Sequence, residues 1–140
     1  MPVGNAVTRV LVADDQPRAL HSLQALLTAM RWSHNGRDDR GDGLIETVGE
    51  ASDGQQTLDQ VEALRPDVVV MELHMPKLAG TTAIEIIKRR WPEVRVVVLT
   101  MYATDRVAAL KSGADAFLLK GCPTAELLDA VAPRLDGLPG

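Results

Sequence analysis

Five short apolar runs recur along this chain, each parted from the next by a segment with helical spacing. They are Val7 to Ala13, Leu44 to Ala51, Val68 to Glu72, Val94 to Thr100 and Ala116 to Lys120. Val68 to Met71 and Val96 to Leu99 are unbroken aliphatic stretches, the pattern of strands covered on both faces. Helices are predicted between the runs: one opening at Pro17, then Gln55 to Leu64, Thr82 to Trp91, Asp105 to Ser112, and Thr124 to about Leu135. In the first of these, Ala19, Leu23, Leu26, Leu27 and Met30 fall on one face. Pro66 ends the second helix, Thr82 and Glu85 read as a capping box for the third, and Gly113 stops the fourth. Strands alternating with helices of ~10 to 15 residues require right-handed crossovers. The fold class is therefore α/β, a doubly wound five-stranded parallel sheet with helices on both faces.

At 140 residues the chain has the length of one domain, and 46% hydrophobic with 24% charged residues is the composition of a chain that buries a core. A net charge of -4 gives no field that would gather nucleic acid or an anionic membrane, so direct nucleic-acid binding and membrane attachment are not expected. No apolar run approaches the ~20 residues that span a bilayer. One cysteine, Cys122, forms no internal disulfide, and the first residues lack a leader pattern, which fits a reducing, cytoplasmic setting. Ser33 to Gly43 contains no apolar residue and is expected to be an inserted flexible loop at about 33–43. Its acids approach a calcium-loop spacing, but Arg40 and Gly49 stand where ligands are needed. The expected organisation is one domain over 1–136 followed by a tail or linker start at 137–140.

Ligands of doubly wound sheets bind beyond the carboxyl ends of the strands. Those ends are polar here: Asp14 and Asp15 after the first run, Glu72 at the third, Thr100 at the fourth and Lys120 at the fifth. Two like charges ~4 Å apart repel by about 4 kcal/mol at an effective dielectric near 20, so crowded carboxylates call for a cation or a raised pKa. Oxygen ligands alone point to Mg2+. A hydroxyl and an ammonium from neighbouring strands would hold a phosphoryl group beside that metal. Read singly, Asp14-Asp15 is a strand-end turn that caps a helix, and Thr100 reflects β-propensity. It is the company of all five that makes a site.

The segments Val12-Ala13-Asp14-Asp15, Pro66 through Pro76, Leu99-Thr100 and Gly113 through Lys120 resemble the receiver domains of bacterial response regulators, with coverage from about Val7 to Leu135. Met101-Tyr102 and Lys120-Gly121-Cys122-Pro123 are most similar to receivers attached to a LuxR-type helix-turn-helix. The resemblance implies strand order 2-1-3-4-5 and the two-component signalling role of those domains. It also implies an Mg2+ ligand set of Asp14, Asp15, residue 72 and the backbone carbonyl of His74. By the same resemblance Thr100 and Lys120 contact the phosphoryl group, and Phe117 occupies the position of an aromatic that turns inward on activation. The partners implied are a histidine kinase, and a protein target or second copy of the chain on the face of the fourth helix, last strand and fifth helix.

Glu72 departs from that pattern, because the position it fills is a phosphoryl-accepting aspartate in the family. One methylene moves the carboxylate by about 1 Å, and a displacement of that size costs about 10²-fold in rate. Phosphorylation is expected to be impaired and Mg2+ binding weakened or absent. The longer side chain also carries negative charge toward Thr100 and Lys120, a partial imitation of the phosphorylated state. A plain structural pairing with Lys120 accounts for the same residue. Three other functions share these features: an Mg2+-dependent phosphoryl-transfer enzyme, an FMN binder, and the regulatory fragment of a DNA-binding transcriptional regulator. Adjacent rather than alternate acids count against the first, and the acidic first loop would repel the phosphate of the second.

Overall fold

A computed structural model of the chain describes residues 6–29, 31–32 and 43–132. In chain order the elements are β1 (Ala6–Ala13), α1 (Pro17–Ala29), β2 (Arg31–Trp32), β3 (Gly43–Ala51), α2 (Gly54–Leu64), β4 (Val68–Met71), α3 (Gly80–Arg90), β5 (Arg95–Thr100), α4 (Arg106–Ser112), β6 (Ala116–Leu119) and α5 (Thr124–Val131). The sheet order is β2-β3-β1-β4-β5-β6. Its parallel part, β3-β1-β4-β5-β6, is the order 2-1-3-4-5 when the parallel strands alone are counted. At one edge β2 adds a sixth strand, antiparallel to β3, through the pairs Arg31 with Leu44 and Trp32 with Gly43. Two residues carry no readable periodicity, so the sequence does not announce this strand.

Alternation along the strands divides the core in two. Val69, Met71, Val96 and Val98 face one way and pack with Leu58 and Val61 of α2, Ile84 and Ile87 of α3, and Ala109 of α4. Val10, Val12, Val68, Val70 and Val97 face the other way and pack with Leu20 and Leu27 of α1 and Leu127 and Val131 of α5. Central strands covered on both faces explain why these runs are continuously aliphatic. A bulge in β3 breaks the alternation: Val10 faces Thr47 and Leu11 faces Gly49, leaving Val48 as an extra residue. Ile45 therefore belongs to the α1–α5 side while Ala51, six residues on, belongs to the α2–α4 side.

Several details differ from the sequence expectation. The buried stripe of α1 is Leu20 and Leu27, with Leu23 partly covered, whereas Leu26 is exposed; Met30 lies outside the described residues. Helix α3 starts at Gly80, ahead of Thr82, with Ala79 at the cap and no side-chain cap bond. A Cβ at residue 80 would lie 2.6 Å from the Leu73 backbone, so glycine lets the helix begin against the loop that precedes it. A single 3-10 turn, Ala103–Asp105, precedes α4. Helix α5 stops at Val131, with Ala132 extended, because Pro133 disfavours helical backbone in the residue before it. The insert at 33–42 and the tail at 137–140 lie outside the described residues. Among the described residues, no helix is long and apolar enough to cross a membrane.

Candidate functional site

Strand register assembles the site. Ala13 of β1 pairs with Met71 of β4, so the next residues, Asp14 and Glu72, leave neighbouring strands at the same level. Backbone bonds continue the ladder past the strand ends: the Asp14 amide donates to the Ala51 carbonyl at 3.0 Å and the Glu72 amide to the Ala13 carbonyl at 3.0 Å. On the other side Thr100 pairs with Leu119, and the Lys120 amide donates to the Thr100 carbonyl at 2.8 Å. Four side chains separated by up to 106 residues thus reach one rim of the sheet.

Lys120 sits at the centre of this rim. Its ammonium donates to Asp14 Oδ2 at 2.7 Å and ion-pairs with Glu72 Oε1 at 3.0 Å. The remaining oxygens are also engaged: Asp14 Oδ1 accepts from the Gln16 amide at 2.9 Å, and Glu72 Oε2 accepts from the amides of Leu73 at 2.8 Å and His74 at 3.1 Å. Both carboxylates are buried, with side chains 6% and 7% exposed, and the lysine side chain is 25% exposed. Burial pushes the Glu72 carboxyl up, but Lys120, Thr100 and the His74 amide together outweigh it and hold the group below its ordinary value. Burial also opposes the charge on Lys120, and the two carboxylates more than offset it, raising that pKa. Thr100 Oγ1 is fully buried near enough to favour the charged glutamate, yet it makes no hydrogen bond of ordinary geometry.

Among the described residues, neither Asp15 nor the His74 side chain makes a hydrogen bond or ion pair to this cluster. Asp15 lines a separate cleft of about 300 Å³ with His21, Glu50 and Ser52. The His74 ring reaches the start of α4: Nε2 lies 2.6 Å from Asp105 Oδ2, and the Tyr102 ring packs edge-on at 5.0 Å. A carboxylate only accepts, so the ring proton belongs on Nε2. Nothing in the sequence announces this contact, which joins residues 31 positions apart. Asp53, after β3, is another buried acid; it caps α2 by accepting from the Gln56 amide and pairs with Lys77 at 3.6 Å. Burial and the nearby Glu126 push the Cys122 thiol up, which makes it a poor nucleophile.

Mg2+ requires near-octahedral oxygen ligation at about 2.0–2.1 Å. The arrangement does not fit that demand, because the facing oxygens of Asp14 and Glu72 converge on the Lys120 ammonium. Among the described residues, no group of three acidic, histidine or cysteine side chains is placed to hold a metal. What the rim does hold is an ion triad of two buried carboxylates and one partly exposed lysine, with the buried Thr100 hydroxyl beside it. A groove of about 540 Å³ adjoins it, lined by Arg106 of α4, Phe117 and Leu119 of β6, and Cys122 and Glu126 toward α5.

Residues 10–132 match the family described as response regulator receiver domain. The nitrate/nitrite response regulator protein NarL of Escherichia coli K12 is 37% identical over 95 residues, 66% of this chain and 44% of that protein. The transcriptional regulatory protein MctR of Rhizobium johnstonii is 33% identical over 131 residues, 92% of this chain and 56% of that protein. Among solved structures, the isolated REC domain of RcsB from Salmonella enterica serovar Typhimurium, in the presence of phosphomimetic BeF3-, has a TM-score of 0.75 at 27% identity, covering 93% of this chain and 89% of that one. The chain spans about half the length of the curated relatives it matches.

Proposed function

The chain belongs to the response regulator receiver family, and we propose that it is a signal-transduction module acting through protein contact, with its phosphoryl-accepting step impaired by Glu72. The observation that carries this reading is the state of the Glu72 carboxylate. One oxygen is held by Lys120 and the other by two backbone amides, contacts that hold the carboxyl below its ordinary pKa and make it a weaker nucleophile toward a phosphoryl donor. Held there, the carboxylate supplies one negative charge and two oxygens where a phosphorylated side chain would supply more of both, a partial mimic of the active state. The module is not itself an enzyme with a separate substrate. It resides in the cytoplasm, and the partner upstream of it is a histidine kinase. Mg2+ binding is weakened or absent.

The contact face is α4, β6 and α5. Leu119 of β6 lines the groove and is exposed, and Val107 and Leu110 of α4 with Met101 and Tyr102 in the preceding loop are further exposed apolar residues. A protein target or a second copy of the chain binds there, and the chain itself makes no contact with nucleic acid. The relatives named as transcriptional regulators are about twice as long as their matched part, which supports reading the chain as the regulatory portion of such a regulator.

Intact mass after incubation with acetyl phosphate and Mg2+, beside the Glu72→Asp variant, tests the central claim. The unmodified chain is expected to gain nothing and the variant about 80 Da, one phosphoryl group on a restored aspartate. An efficient gain on the unmodified chain would overturn the reading.

A further inference from the structure

We propose that the Lys120 ammonium is the resident cation of this pocket, neutralising Asp14 and Glu72 from within the chain and displacing the divalent ion that the family resemblance implies. The inference rests on the receiver reading of the pocket and adds which group fills the cation position. Three observations support it. First, the two carboxylate oxygens that face each other across the pocket both lie on Lys120 Nζ, at 2.7 and 3.0 Å, while their outer oxygens take backbone amides. A metal bound to either inward oxygen would stand against a fixed positive charge at close range. Second, the lysine is fixed at its root, since its own amide closes the β5–β6 ladder on the Thr100 carbonyl at 2.8 Å. Third, among the described residues no group of three acidic, histidine or cysteine side chains is placed to hold a metal ion.

The residue at position 72 explains why the lysine reaches both acids at once. A glutamate extends one methylene farther from β4 than an aspartate would, and its Oε1 meets the ammonium while Oε2 stays on the loop amides of Leu73 and His74. The pocket then behaves as a closed ion triad rather than as a cation receptor.

Calorimetric titration and thermal denaturation of the full chain, stripped of metal and then given Mg2+ alone, test the inference. The wild-type midpoint is expected to stay put on adding Mg2+. Lys120→Gln, which removes the charge and keeps a polar side chain, is expected to bind Mg2+ about tenfold or more tightly than wild type and to recover its midpoint as the ion fills the gap. Adding Asp14→Asn to Lys120→Gln should abolish that gain, and Lys120→Arg, which keeps a cation, should remain insensitive. Wild-type binding of Mg2+ as tight as that of Lys120→Gln overturns the proposal. So does a Mg2+-responsive Lys120→Arg, a result that remains informative should the glutamine variant fail to fold. No phosphoryl donor is present, so a glutamate that accepts phosphate would sink the earlier reading without moving this result.

Discussion

Two lysine-centred knots close opposite ends of the same parallel sheet, and they differ in charge balance. At the amino end, Lys88 donates to Asp115 Oδ2 at 2.8 Å, the Val94 carbonyl at 2.9 Å and the Pro92 carbonyl at 3.3 Å. Asp115 Oδ2 also accepts the Val96 amide at 2.8 Å. One ammonium meets one carboxylate, every ammonium proton has an acceptor, and water reaches both side chains, which are 23% and 29% exposed. At the carboxyl end, one ammonium meets two carboxylates that are almost fully buried, and a buried threonine hydroxyl beside them makes no hydrogen bond of ordinary geometry. A balanced knot fastens α3 to the sheet and has nothing left to do. A buried knot with more carboxylates than cations is a candidate for function.

Removing the central cation at each end is the sharpest way to break that contrast. Lys120→Met leaves two buried carboxylates unpaired and is expected to cost about 3–5 kcal/mol in urea denaturation at neutral pH. Lys88→Met leaves Asp115 near water with its backbone amide intact, and about 1–2 kcal/mol is expected. Equal losses would mean that the carboxyl-end triad carries no special burden.

Acid and alkali sharpen the same contrast with a sign. The Glu72 carboxyl lies below its ordinary 4.5 in the folded protein, so its contribution is fully present above that value and is lost as pH falls through the folded value. Lys120 is raised above its ordinary 10.5, so its contribution is fully present below 10.5 and is lost as pH rises through the folded value. Stability followed against pH should therefore show an acid limb that Glu72→Gln flattens. An unchanged limb in that variant would assign the acid sensitivity to other carboxylates.

The smallest expected effect concerns the Thr100 hydroxyl, which helps hold Glu72 charged without a hydrogen bond of ordinary geometry. Thr100→Val replaces it by a methyl of similar size, and a loss of no more than about 1 kcal/mol is expected in the same denaturation assay. A gain would mean that the buried oxygen gives Glu72 no support.

Much of this architecture was legible in the residues because burial imposes a pattern. Val68 to Met71 had to be a central strand, and the polar residues at the ends of such strands had to converge on one rim. Asp14, Glu72, Thr100 and Lys120 could be named together for that reason. The apolar face of α1 was harder to place, since Leu20 and Leu26 both suit a helix and only the packing chose the first. The early start of α3 was hidden because it follows from the close approach of Gly80 to Leu73, a contact between two loop segments rather than a property of either.

Composition, periodicity and strand-end chemistry thus determined the α/β class, the identity of the central strands and the roster of polar residues at the rim, because each follows from local spacing and from the cost of burying charge. Only the folded chain decided that Lys120 would join Asp14 to Glu72 and that His74 would reach Asp105. Those choices depend on strand register and side-chain reach within an ångström or so, and interactions this short-ranged between distant segments have no signature until the sheet brings the segments together.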